Sequence, residues 1–175
     1  DYLKIESLRD SIARSITVTS DIINGNITGD FNFQSMKQYA TNVAAKIFPS
    51  IIEADDSHIS TDNTFSYQFR VEANNDILDL LKSPVRLLYP VDINGNVDSN
   101  TSTGRLLVRA PYLQQKNKVI ENSSLDFSFD ANRGTSDLLI TTKFPVKKGN
   151  VDLNATIGAA NNCIDSKISW WLDTK

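Results

Sequence analysis

From Phe65 to Glu72 the chemistry of the chain changes at every residue. Phe65, Tyr67, Phe69 and Val71 alternate with Ser66, Gln68, Arg70 and Glu72. A period of two puts successive side chains on opposite faces of a strand, so this segment has one buried face and one wet face. Downstream, Val85–Val91, Arg105–Ala110, Leu125–Phe129, Asp137–Phe144, Val151–Ile157 and Lys167–Leu172 also read as strands. The residues between them hold Gly, Asn and Lys, as turns do.

Upstream the apolar period is longer. Ile5, Leu8, Ile12 and Ile16 follow one another at three, four and four residues, which predicts an amphipathic helix over about 2–23. Lys4, Glu6, Arg9, Asp10 and Arg14 cover its other side, and Asn24-Gly25 would stop it. The β-branched run Ile16-Thr17-Val18-Thr19 weakens its second half. A second helix is predicted over about 33–48, from Met36, Tyr39, Ala40, Val43 and Ile47. Asp30 or Asn32 would cap it, and Pro49 lies beyond its end. A short third helix is expected at about 75–82, capped by Asn74 or Asn75, with Ile77, Leu78, Leu80 and Leu81 inward.

Helices that precede strands predict an α+β fold: N-terminal helices (about 2–23 and 33–48), then a mostly antiparallel β-sheet. The expected organisation is one domain over 1–175, with a helical part at about 1–50 and a sheet part at about 64–175. The polar, acidic stretch Glu53–Asn63 is the weakest seam. The expected core is Ile5, Leu8, Ile12, Ile16, Met36, Val43, Ile47, Phe69, Val71, Leu78, Leu81, Phe127, Ile140 and Trp170.

Eighteen basic and twenty-one acidic residues give a net charge of −3. That balance argues against nucleic acid as a partner, because such proteins carry a positive footprint. One cysteine makes no internal disulfide, and one cysteine with one histidine makes no Cys/His zinc site. Cys163 is expected to be a buried small hydrophobe. Seventeen asparagines and thirty-one Ser/Thr lean towards an extracytoplasmic surface, secreted or on the cell surface. No stretch of eighteen apolar residues is present. The chain starts at Asp1 and its only methionine is Met36, so the expectation is that an upstream signal or membrane anchor was removed.

Motifs of catalysis are scarce. The seven glycines form neither G-x-G-x-x-G nor G-x-x-x-x-G-K-S/T, the patterns that aim backbone N–H groups at phosphates. His58, the one histidine, reads as a surface residue of the Asp55–His58 loop, with no G-x-S-x-G elbow to serve. Paired carboxylates for hydrolysis leave no spacing signal, so a hydrolase of that kind stands third among the readings. Adjacent tryptophans on a strand face opposite ways: Trp170 is expected to pack with Ile168 and Leu172, and Trp171 to lie at the sheet rim or touch a partner.

The segment Asp92-Ile93-Asn94-Gly95-Asn96-Val97-Asp98 carries oxygen donors at every second residue. Two readings stand. Asp92, Asn94, Asn96 and Asp98 converge on a Ca2+ ion, as in the opening of an EF-hand or dockerin-type loop. Against this, Gly95 stands at the fourth position rather than the sixth, and Thr103 falls where a twelfth-position glutamate would. Alternatively, Asn-Gly makes a hairpin tip between the strands at 85–91 and 105–110. The loop Ser99–Gly104 is expected to be a mobile tip.

An N-terminal amphipathic helix, a following antiparallel sheet and no catalytic motif together resemble the soluble part of a type IV pilin or Tad-type minor pilin. The resemblance lies in architecture, and Cys163 alone cannot make the C-terminal disulfide loop found in many pilins. It implies a non-enzymatic, pilin-like subunit of a cell-envelope structure or fimbrium, with other protein subunits as partners and an anchoring segment upstream of Asp1. The interaction residues would be Ile5, Leu8 and Trp171. The alternative is an extracellular sensor or ligand-binding module of a membrane receptor, with a pocket among Phe65, Tyr67 and Phe69.

Overall fold

The structure, a computed structural model, describes residues 2–10, 13–55, 63–80 and 82–174, and for Ile77 the backbone alone. Ile12, His58 and Leu81 lie outside the described residues.

The chain is a β-meander, not an α+β fold with leading helices. Its strands are β1 (Leu3–Arg9), β2 (Arg14–Ser20), β3 (Ile23–Asp30), β4 (Thr64–Val71), β5 (Val85–Leu87), β6 (Val91–Asp98), β7 (Thr103–Gln115), β8 (Lys118–Asp130), β9 (Thr135–Val146), β10 (Gly149–Ala160) and β11 (Cys163–Asp173). The helices are α1 (Phe33–Ile47) and α2 (Asp76–Leu80). The strands form one sheet in the order β1-β2-β3-β4-β6-β7-β8-β9-β10-β11, and β5 adds to the far end of β7. Every pairing is antiparallel.

The first helix expected from the sequence is replaced by β1, β2 and the turn that leads into β3. Ile5 pairs with Val18, and Ile16 with both Ser7 and Ile27. The β-branched run at 16–19 prevails over the three-four-four spacing, because those side chains lose χ1 freedom in a helix and fit a pleated surface. Asn24-Gly25 is not a helix stop but the interior of β3, opposite Arg70 and Phe69. The turn before it is held by Ser20, whose hydroxyl accepts from the N–H groups of Ile22 and Ile23 at 3.1 and 2.8 Å.

The second helix forms over the bounds expected. Asn32 caps α1, its side chain accepting from the Gln34 N–H at 3.0 Å. The α1 axis crosses one end of the sheet. At its start, Asn63 beside β4 accepts from the Asn32 N–H and donates to the Ser35 hydroxyl. At its end, the Asn162 N–H in the β10–β11 turn donates to the Ile47 carbonyl at 3.1 Å. That turn places Asn161 and Asn162 at φ of 50° and 64°, which asparagine tolerates better than most residues. Phe31 wedges in before α1, edge-on to Phe33 and Phe65.

Register sorts the sheet into two faces. The face beneath α1 carries Ile16, Ile27, Phe69, Ile93, Val108, Leu125, Ile140 and Leu153, strand after strand. The opposite face carries most of the charges: Arg105 and Asp126 pair there at 2.8 and 2.5 Å, and Arg70 with Asp92 at 3.7 Å. One helix does not roof so wide a sheet. Among the expected core residues Ile47 is buried, at 4% exposure, whereas Trp170 is 67% exposed and Leu8 73%. Among the described residues the buried apolar side chains are Phe31, Ala45, Ile47, Val91, Ala110, Ala131 and Ala155.

Candidate functional site

The alternating donors at 92–98 form neither a loop nor a hairpin tip. They lie on β6, hydrogen-bonded to β4 on one side and β7 on the other. Asp92, Asn94, Asn96 and Asp98 all face the polar side, and successive members stand about 7 Å apart along the strand. Four oxygens strung out at that spacing do not converge on one ion. Among the described residues no group of three or more His, Cys, Asp or Glu side chains is placed to hold a metal.

Each of the four has other surroundings. Asp92 faces Arg70. Asn94 and Asn96 line a hollow of about 510 Å3 with Asn26, Gln68 and Arg105. Asp98 organises the β6–β7 turn, accepting from the Asn100 N–H at 2.9 Å and the Thr64 hydroxyl at 3.3 Å. Desolvation pulls its carboxyl upward, but hydrogen bonds from the Thr101 side chain, the Asn100 and Thr101 N–H groups and Thr64 outweigh it and hold it below the usual value. Asp126 is also held low, first by its hydrogen bonds from Arg105. From this geometry, millimolar calcium is expected to leave the thermal midpoint unchanged relative to excess chelator. A ligand that binds only the folded state raises stability by RT ln(1 + [L]/Kd), so a calcium-dependent rise lost in Asp92→Ala, Asp98→Ala would restore the metal site.

The loop 99–104 is a turn stitched in place rather than a mobile tip. The Ser99 hydroxyl accepts from the Asn63 N–H at 2.9 Å, and the Ala131 N–H donates to the Ser102 carbonyl at 2.8 Å. Gly104 already belongs to β7. Cys163 is exposed at the start of β11, not buried.

The three interaction residues are exposed but do not share a face. Ile5, 61% exposed, lies on the apolar face of β1, and Leu8 lies on the other side with Lys4 and Glu6. Trp171 pairs with Asp152 on the polar face, 50% exposed. Trp170 does share a face with Ile168 and Leu172, but all three are open to solvent. Alternation gave the faces, and nothing in the sequence gave the exposure. β1 and β11 are the two ends of the sheet, and among the described residues neither has a strand on its outer side.

The aromatics named for a pocket divide. Phe65 lies under α1 beside Phe127 and Phe129, where side chains leave a cleft of about 520 Å3. Tyr67 and Phe69 lie farther along β4 and do not line it. Instead the Tyr67 hydroxyl donates to the Arg105 carbonyl at 3.2 Å, and burial raises its pKa. The cleft's contributors from α1 were legible as a helical stripe and those from β4 and β8 as alternating strands; Val97 from β6 was not. No helix among the described residues is long and apolar enough to cross a membrane. No family model, no curated protein and no solved structure matches the chain.

Proposed function

We propose that this chain is a non-enzymatic assembly module of the extracytoplasmic space, which works by lengthening its sheet edge to edge with a second copy of itself. The observation that carries the reading is β11. Its eleven residues are exposed throughout, and its outer backbone groups face no strand among the described residues. Such an edge is a template for another strand, and proteins that avoid pairing blunt it with charge, proline or a bulge. Here Asp165, Lys167 and Asp173 all fall on the polar face, while Ile164, Ile168, Trp170 and Leu172 extend the apolar one.

Strand parity supports a head-to-tail copy. Ten strands lie on the path from β1 to β11, all antiparallel to their neighbours. β1 and β11 therefore run in opposite directions. A second copy in the same orientation brings its β1 antiparallel to β11 with its apolar face on the same side, so Leu3 and Ile5 continue the row of Ile168 and Trp170. Such a contact is heterologous and propagates. The reading keeps the expected partners, subunits of a surface assembly, but does not rest on the pilin resemblance, since strands stand where its helix was expected.

Sedimentation velocity over a concentration series tests it. The protein is expected to form dimers and longer species, and Ile168→Lys, Trp170→Lys to remain monomeric with a similar thermal midpoint. A monomer at every concentration with β11 intact rejects self-assembly. A lowered midpoint in the double variant would instead make these side chains part of the fold's own support.

A further inference from the structure

The register of the β11–β1 contact, which rests on the edge-to-edge reading, is set by backbone parity and by charge. Both strands are exposed along their whole lengths. In β1 the Asp10 N–H turns inward to the Ala13 carbonyl. Bonding alternates along a strand, so the backbone groups of Leu3, Ile5, Ser7 and Arg9 point outward. In β11 the two-residue turn Asn161-Asn162 makes Ala160 and Cys163 the first bonded pair with β10. The outward groups there belong to Ile164, Ser166, Ile168, Trp170 and Leu172. Both outward sets lie on the apolar face. A slip of one residue would break that match, so registers differ by steps of two.

Four registers remain, according to which β1 residue of the next copy stands opposite Ile168. Leu3 there would set Lys167 against Lys4 and Asp165 against Glu6, two like-charge pairs. Ser7 there would waste the apolar contact and bring Asp165 to Asp10. Arg9 there would do the same, and its two opposite-charge pairs would draw on carboxylates already engaged. Those are Asp173, paired with Lys143 at 3.7 Å, and Asp10, which accepts from the Ala13 N–H at 2.7 Å. Ile5 meets every condition. Trp170 then lies opposite Leu3, Ser166 opposite Ser7, Trp171 opposite Tyr2 and Lys167 opposite Glu6. Lys167 has no acidic partner among the described residues, and Glu6 holds only the exposed Lys4 at 3.0 Å.

We infer that copies of this chain join with Ile168 opposite Ile5 of the next copy, a register that Lys167 and Glu6 select by charge. These two stand at a non-hydrogen-bonded position, where side chains come closest.

Sedimentation velocity over a concentration series tests the charge pair. Lys167→Glu alone and Glu6→Lys alone should each weaken self-association about tenfold, since attraction becomes repulsion across a cross-strand pair. Mixed one to one, the two variants should regain the parent's affinity, because every contact between unlike chains is then attractive. A disulfide scan reads the register without reversing charge. In a Cys163→Ser background, Ser169→Cys with Lys4→Cys should cross-link separate chains on oxidation, their Cα atoms being about 4.5 Å apart across the contact. Ser169→Cys with Leu8→Cys, four residues out of register, should not. Cross-linking through position 8 rather than 4, or no gain on mixing, overturns the register, while a parent that still assembles keeps the edge contact. A parent that is monomeric at every concentration overturns both.

Discussion

Gly95→Ala is expected to lower stability by about 3 kcal/mol, at the upper end for an added methyl group in packed surroundings. For a chain of this size that is a fall of roughly 6–12 °C in thermal midpoint. Gly95 sits in the middle of β6, directly opposite Tyr67. A Cβ there would overlap the Arg105 backbone carbonyl and stand 2.5 Å from the Tyr67 hydroxyl oxygen. The tyrosine ring can swing away, but the carbonyl belongs to the β6–β7 ladder and cannot. Trimming Tyr67 to Leu in the Gly95→Ala background should therefore restore little. Gly158→Ala is the control: its nearest neighbour would be an Asp137 carboxylate oxygen at an ordinary 3.4 Å, and its midpoint should move by less than about 2 °C. Equal midpoints for the two variants, measured by calorimetry, would mean that β4 and β7 part easily around β6.

Glycine also explains why β6 escaped the sequence. Val91, Ile93 and Val97 alternate with Asp92, Asn94 and Asn96 as cleanly as any strand here, but the slot between Ile93 and Val97 on the apolar side is empty. The missing side chain is supplied by Tyr67 from the next strand. The same exchange recurs at Gly25 opposite Phe69 and Gly104 opposite Phe129. A ring lying over the neighbour's glycine fills the gap, as in designed sheets where an aromatic covers a glycine across the strand pair. Such complementation joins residues 25 to 44 apart, so no window along the chain displays it. Oxygen donors flanking an empty apolar slot then look like an ion-binding loop.

Elements whose side chains all come from one segment were legible. The stripe Met36, Tyr39, Ala40, Val43, Ile47 gave α1, and the alternations at 65–71 and 125–129 gave β4 and part of β8. The 2–23 segment misled because isoleucines three and four apart satisfy a helix while their neighbours favour a strand. Pairing with β3 and β4 decides between them, and that is a tertiary fact. The cleft under α1 was half legible. The helix face was visible, but the separation of α1 from the sheet does not follow from spacing.

Asn63→Ala should lower stability by about 3 kcal/mol, since it removes two hydrogen bonds and leaves the Asn32 N–H unmet, at about 1–3 kcal/mol for an unmet group, while the Ser35 hydroxyl still donates to the Asn32 carbonyl. Asn63 is 1% exposed. Its side-chain oxygen accepts from the Asn32 N–H at 3.0 Å, and its amide donates to the Ser35 hydroxyl at 3.1 Å. Its backbone exchanges hydrogen bonds with Ser99 across the β6–β7 turn. One side chain thus ties the α1 cap to the sheet end, so hydrogen exchange in the first turn of α1 should accelerate more than exchange in β8 or β9. Asn63→Asp separates lost bonding from buried charge. The carboxylate keeps the acceptor for Asn32 but gives up the donor to Ser35, and burial raises its folded-state pKa above that of the unfolded chain. The folded state then binds the proton more tightly, so the aspartate variant gains stability as pH falls through that raised pKa, and its deficit is full above it. The alanine variant should show no such dependence beyond that of the parent. Parallel pH profiles for the two variants, followed by thermal melts between pH 4 and 8, would mean that position 63 is wetter than its 1% exposure implies and that α1 is held mainly by its apolar face.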